Sequence, residues 1–204
     1  MIPVKICGIT NLNDALTCIR NGVSALGFIF AESKRRVAPE VAREISRQLP
    51  PFVTKVGVFV DEEPATVNEI LRDCRLDLAQ LHGLKAASVV EMLPGRVIKV
   101  FRAGMDPPDP SWTEAPLRAV LVDTYHPDTQ GGTGVPFNWD LFGSYRKLGF
   151  PVILAGGLKP ENILSAIQTA RPDAVDLSSG VELKPGVKDP VRIRQLMSLI
   201  QKVE

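Results

Sequence analysis

Eight short apolar runs rich in Val, Ile, Leu and Ala recur along the chain, each separated from the next by a more polar segment. Uninterrupted apolar runs of this length, alternating with segments of helical periodicity, mark strands buried on both faces of a parallel sheet and joined by crossover helices. The runs fall at Val4–Cys7, Ala25–Phe30, Val53–Val60, Leu78–His82, Val97–Phe101, Ala119–Asp123, Val152–Ala155 and Ala174–Ser178. Helix starts lie between them. Asn11-Leu12-Asn13-Asp14 supplies capping side chains ahead of Ala15, Leu16 and Ile19, with Gly22 as a stop. Pro39, Pro64, Pro160 and Pro190 each stand near a first helical turn, where a missing amide donor is harmless. The segment Ala103–Pro116 breaks the pattern, because Pro107, Pro108, Pro110 and Pro116 exclude a regular helix.

Eight strand–helix units favour an α/β fold of the (β/α)8 TIM-barrel type over an open doubly wound sheet, which more often ends at five or six strands. The expectation is a single barrel domain over residues 1–204, with the fifth helix reduced or replaced by a Pro-rich loop. Composition agrees, since 204 residues that are 45% hydrophobic and 23% charged can enclose one continuous core. Lys and Arg number 24 against 23 Asp and Glu, so the net charge of +1 leaves no footprint for nucleic acid or an anionic membrane.

Cys7, Cys18 and Cys74 form an odd, widely spaced set that fits free thiols in a reducing compartment rather than a disulfide framework. No zinc-type Cys/His spacing occurs. The chain shows neither a signal-peptide pattern nor an apolar stretch long enough to cross a bilayer, which makes the cytoplasm the expected location. Cys18 and Cys74 read as core residues of helices.

In a barrel of this kind the chemistry sits at the C-terminal ends of the strands. Those ends carry Cys7-Gly8, Ser33-Lys34-Arg35-Arg36, Gln80-Leu81-His82-Gly83, Asp123-Thr124, Ala155-Gly156-Gly157 and Asp176-Leu177-Ser178-Ser179-Gly180. A cysteine at a strand end is by position alone most often a small apolar filler, yet its thiol titrates close enough to neutrality to serve in proton transfer. Gly156-Gly157 and Ser179-Gly180 follow the last two strands, where barrel loops frequently hold phosphate on backbone amides; taken singly, each pair is also an ordinary turn. Arg35 or Arg36 offers a fork for a carboxylate or phosphate, and either reads otherwise as a solvated surface residue. His82 reads as a positioning or hydrogen-bonding group before a catalytic one, and His126 as solvent-facing.

Alternation along the strands puts Lys5 with Cys7, Lys99 with Phe101, and Asp176 with Ser178 on common faces. If those faces point inward, Lys5, Lys99 and Asp176 form a polar layer under the site. The first and last strands adjoin in a closed barrel, so Lys5 and Asp176 are expected to meet and the lysine to lower the Cys7 pKa. The long segment Thr124–Asn138, with Gly131-Gly132-Thr133-Gly134, has the length and composition of a lid or of a merely flexible loop.

Taken together, these stretches resemble the phosphoribosylanthranilate isomerases of tryptophan biosynthesis nearly end to end. The likeness rests on Lys5-Ile6-Cys7-Gly8-Ile9-Thr10, Ser33-Lys34-Arg35, Gln80-Leu81-His82-Gly83, Asp123-Thr124, Ala155-Gly156-Gly157-Leu158 and Asp176 to Glu182. It implies a cofactor-free Amadori rearrangement of a phosphosugar, with Cys7 as general base and Asp123 as general acid. It further implies Arg35 on the anthranilate carboxylate and the loop glycines Gly156, Gly157 and Gly180 around the phosphate; from their places at the strand ends, Ser179, His82 and Asp176 are expected to bind substrate beside them.

Two features remain open, namely the Arg35 against Arg36 alignment and assembly as a monomer or homodimer. Three rivals are weighed. An epimerase-like barrel wants metal-binding His and Asp on early strands, which are missing here. The isomerase of histidine biosynthesis uses two aspartates where this chain has Cys7 and Asp123. A noncatalytic phosphosugar-binding or partner-positioning barrel would not require both of those groups.

Overall fold

The computed structural model of the chain describes residues 1–83, 86–123 and 139–202. Its frame is a closed barrel of eight parallel strands in sequential order. The strands are β1 (Val4–Cys7), β2 (Ala25–Ile29), β3 (Thr54–Val60), β4 (Leu78–His82), β5 (Val97–Arg102), β6 (Ala119–Asp123), β7 (Val152–Ala155) and β8 (Ala174–Leu177). Outside them lie α1 (Leu12–Arg20), α2 (Pro39–Arg47), α3 (Pro64–Asp73), α4 (Ala86–Met92), α5 (Trp139–Tyr145), α6 (Ile163–Ala170) and α7 (Pro190–Ile200). A short antiparallel ribbon, β9 (Glu182–Lys184) and β10 (Val187–Lys188), stands between β8 and α7.

Helix boundaries follow the capping chemistry read from the sequence. Asn11 accepts a hydrogen bond from the Asp14 amide at 2.9 Å and starts α1, while Asp189 accepts from Val191 and Arg192 and starts α7 behind Pro190. Pro39 and Pro64 open α2 and α3. Pro160 lies instead in the turn before α6, whose N-cap is Asn162. Between β5 and β6 the prolines leave only a single 3₁₀ turn, Pro110–Trp112, in place of a helix.

Two hydrophobic layers divide the interior. The larger, including Ile6, Leu26, Phe28, Leu81, Phe101, Leu154 and Leu177, lies between sheet and helices. The smaller, with Val56, Ile98, Val100, Ala119, Leu121, Ile153 and Ala155, fills the barrel itself. Cys18 and Cys74 are fully buried against the outer layer, and all three cysteines are free. Among the described residues no helix is long and apolar enough to cross a membrane, and no His, Cys, Asp and Glu cluster is arranged to hold a metal.

Candidate active site

Lys5 and Cys7 alternate with the outward Val4 and Ile6 and therefore point into the barrel from β1. Strand β8 pairs with β1 in the register Lys5 to Asp176, and the two side chains meet as expected, Nζ to Oδ2 at 2.8 Å, both buried. On the other side β2 sets Gly27 opposite Cys7. A side chain there would have its Cβ 2.9 Å from Cys7 Sγ and 3.0 Å from Lys5 Nζ, so the glycine is what leaves room for the thiol and the ammonium together.

This arrangement alters the protonation balance in a way the sequence did not disclose. Burial pushes the Cys7 thiol up, Lys5 and Lys188 pull it down, Asp176 pushes it up again, and the net direction is upward. The expected lowering of the thiol pKa is therefore corrected: the cations moderate the effect of burial without overcoming it. For Lys5, burial disfavours the charge, but Asp176 and the Cys7 thiol outweigh it and hold the ammonium charged.

Lys99 does not join this layer. The pleat of β5 turns Ile98 and Val100 inward, which sends Lys99 and Phe101 outward. With a Pro-rich connection in place of a helix after β5, the Lys99 ammonium donates to the Gly83 carbonyl at 3.1 Å and lies 5.5 Å and 5.4 Å from the Phe101 and Trp112 ring centres. It thereby ties the turn after β4 to the Pro-rich connection. His82, at the end of β4, has its pKa lowered to about 4 by burial and by the charges of Lys5, Lys99 and Arg102, so it is a neutral imidazole at neutral pH. Gln80 Nε2 lies 3.4 Å from its Nε2.

Between the two arginines after β2 the geometry is unequal. Arg36 is exposed, whereas the stem of Arg35 lies across Gly8, where an added Cβ would be 2.8 Å from Arg35 Cδ. Gly8 has φ +79°, a left-handed conformation natural to glycine that turns the chain sharply after Cys7. The Arg35 guanidinium forms a bidentate pair with Glu182, Nε to Oε1 at 2.9 Å and Nη2 to Oε2 at 2.7 Å. Sequence reasoning singled out neither this partner's role nor Lys188, which donates to Glu182 at 2.7 Å and to the Cys7 carbonyl at 2.6 Å.

The glycine turns after β7 and β8 come together. Gly156 and Gly157 adopt φ of +92° and +61°, and Asn162 fixes the turn through the Gly157 carbonyl at 3.1 Å. Gly180 packs so closely on Leu158 that any Cβ would overlap its carbonyl oxygen, which makes the Ser179-Gly180 turn and the Gly156-Gly157 turn one surface. Asp123 ends β6, partly buried, with β7 and β8 between it and β1 on that side of the ring. His126 and the proposed lid Thr124–Asn138 lie outside the described residues.

A closed parallel barrel with a thiol, a carboxylate, an arginine fork and paired glycine turns at its strand ends defines a member of the (β/α)8-barrel enzyme class. The family model described as N-(5'phosphoribosyl)anthranilate (PRA) isomerase matches residues 4–199. A relative from Geobacter sulfurreducens, named N-(5'-phosphoribosyl)anthranilate isomerase, is 47% identical over 202 residues that cover 97% of each chain. A crystal structure of phosphoribosyl anthranilate isomerase in complex with reduced 1-(o-carboxyphenylamino)-1-deoxyribulose 5-phosphate is 39% identical, with a TM-score of 0.84 and full coverage of both chains. A structure of monomers derived from the dimeric enzyme of Thermotoga maritima is 37% identical, with a TM-score of 0.83 and full coverage of both chains. The chain belongs to the N-(5'-phosphoribosyl)anthranilate isomerase family.

Proposed function

We propose that this chain converts N-(5'-phosphoribosyl)anthranilate into 1-(2-carboxyphenylamino)-1-deoxyribulose 5-phosphate by acid–base catalysis, with no cofactor. Asp123 donates a proton to the furanose oxygen as the bond from C1 to that oxygen breaks, and the nitrogen lone pair forms the C1=N Schiff base. Cys7, as thiolate, removes the C2 proton. The electron pair moves into C1=C2 and restores a neutral amine, giving an enolamine. Transfer of the O2 proton to C1 completes the ketone.

The observation that carries this reading is the Cys7 thiol held against Lys5 at the end of β1 and beside the turn on which Arg35 lies. A cation next to a buried thiol favours its charged form, as a general base requires. Arg35 supplies a fork for the anthranilate carboxylate. Gly156, Gly157, Ser179 and Gly180 offer the phosphate a surface of backbone amides. Neutral His82 and Asp176 line the sugar. A noncatalytic phosphosugar-binding barrel is the second reading, and turnover separates the two.

Consumption of the fluorescent anthranilate adduct is the assay. Cys7→Ser and Asp123→Asn are each expected to lower kcat by about 10²–10⁴-fold with little change in affinity for the reduced product analogue. Near-normal turnover in Cys7→Ser removes the thiol as base. Of monomer and homodimer, the homodimer is the reading supported by the likeness to the dimeric enzyme of Thermotoga maritima, and Phe52, 98% exposed after Pro50 and Pro51, is a candidate contact. Three free thiols support action in the reducing cytoplasm.

A further inference from the structure

The β9–β10 ribbon carries a network that touches two separate parts of the site. Its register sets Lys188 opposite Glu182, so the two side chains project from neighbouring positions and pair at 2.7 Å. Lys188 is fully buried and Glu182 is 4% exposed. An ammonium so enclosed needs acceptors, and it has two: Glu182 Oε1 and the Cys7 carbonyl, the latter at 2.6 Å. Ser178 Oγ adds a second donor to the same carbonyl at 3.2 Å. The ribbon itself is fixed from below, since the Lys188 amide donates to Asp14 at 2.8 Å and Thr10 Oγ1 donates to the Gly186 carbonyl at 2.5 Å.

Glu182 spends its other lone pairs on Arg35, engaging the Nε and Nη2 edge of the guanidinium. Of five guanidinium N–H donors, this leaves the end-on edge of Nη1 and Nη2 for a second carboxylate. Arg35, Lys188 and Glu182 together carry one excess positive charge. Arg35, with 23% of its side chain exposed, is the member with the most access to solvent, so the excess is presented where an anion can reach it. The carboxylate fork and the base-bearing turn are thus held by one buried ion pair.

We propose that Glu182 and Lys188 are positioning residues, Glu182 orienting the Arg35 fork toward the substrate carboxylate and Lys188 fixing the Cys7 backbone from which the base projects. The proposal rests on the roles given to Arg35 and Cys7 above. Neither residue touches the reacting atoms. Their effect is on two groups that touch the substrate, Arg35 at its carboxylate and Cys7 at C2.

The test compares two ligands, the reduced product analogue and the same molecule with phenylamino in place of carboxyphenylamino. In the unmodified enzyme the carboxylate improves binding about tenfold, the scale of one charge-assisted pair. Arg35→Ala brings that ratio to about one. Glu182→Gln lowers the ratio at least about threefold and leaves binding of the carboxylate-free ligand unchanged, whereas a merely structural lesion weakens both ligands alike. Lys188→Met lowers kcat about tenfold through the Cys7 turn, with the melting transition measured alongside.

An unchanged or larger ratio in Glu182→Gln, with the ratio lost in Arg35→Ala, overturns the positioning role alone. A full ratio in Arg35→Ala overturns the assignment of Arg35 and this proposal with it. An unchanged kcat in Lys188→Met overturns the part that concerns Cys7. If Glu182→Gln does not fold, Glu182→Met combined with Lys188→Met removes both buried charges together and carries the same ligand comparison.

Discussion

Replacing Gly27 with Ala probes the site without removing any reacting group. Gly27 lacks a positive φ, so alanine fits its backbone and the perturbation is steric alone. The new methyl would lie 2.9 Å from Cys7 Sγ, 3.0 Å from Lys5 Nζ and 3.1 Å from Cys7 Cα. Ordinary contact between such atoms is about 3.5–4 Å, so the thiol, the ammonium or both must retreat by roughly 0.5–1 Å. Overpacking of a tight interior costs about 1–3 kcal/mol, offset by up to about 1 kcal/mol from the stiffer unfolded chain. The net expectation is a loss of about 1–2 kcal/mol in urea unfolding. Activity suffers more, because a base displaced by about 1 Å loses on the order of 10²-fold in rate. We expect kcat in the fluorescence assay to fall about 10–100-fold in a protein that still folds cooperatively. A folded Gly27→Ala variant with unaltered kcat would refute the claim that this close approach places the thiol.

Four further outcomes can be measured. Because burial holds the Cys7 thiol above its ordinary range while Asp123 must keep its proton to act as acid, kcat/KM is expected to pass through a maximum in pH, and Lys5→Met should lower it at neutral pH by disfavouring the thiolate. Lys5→Met also leaves Asp176 buried without its cation, a loss of about 3–5 kcal/mol measurable by denaturant unfolding. His82 has its folded pKa lowered to about 4 from 6.5, so the unfolded chain binds the extra proton first. Its contribution to stability is full above about pH 6.5 and is lost as pH falls toward 4, up to about 3 kcal/mol, and His82→Asn should flatten the urea midpoint over that range. Phe52→Glu is expected to shift sedimentation from dimer to monomer with kcat preserved; a monomeric parent protein removes that assembly.

The strands were legible because each is a run of branched apolar residues whose ends lie at Gly, Asp or polar turns. The observed bounds differ from the expected ones by one residue at β2, β3, β5 and β8. The missing fifth helix was equally legible, since proline acts locally. The Lys5–Asp176 contact followed from closure of the barrel plus alternation, two rules that need no side-chain detail. Lys99 did not follow, because the phase of the β5 pleat is set by which of two apolar sets faces in, and Val97, Ile98, Val100 and Phe101 are apolar on both faces.

The network through Lys188 had no local signal. Its strand is two residues long, in a Lys-Pro-Gly-Val-Lys stretch that reads as loop, and its partner Cys7 is 181 residues away. Gly27 did carry a signal, as an isolated glycine inside an apolar strand that marks a close approach. The direction of the thiol shift was beyond sequence because it is a contest between burial and nearby charge, and only the packed structure gives both.

The distance along the chain between Lys188 and Cys7 has a consequence for the order in which the protein is made. Strand β1 leaves the ribosome first, but Asp176, Ser178 and Lys188, which hold its end in place, are made 171 to 181 residues later. At about 5–20 residues per second, that interval is on the order of ten to forty seconds. Throughout it Cys7 belongs to a nascent polypeptide that already holds Lys5 but not Asp176 or Lys188, so its thiol is not yet enclosed. Only when the ribbon clears the ribosome and folds back does that thiol become enclosed, so a late part of the barrel shelters an early one.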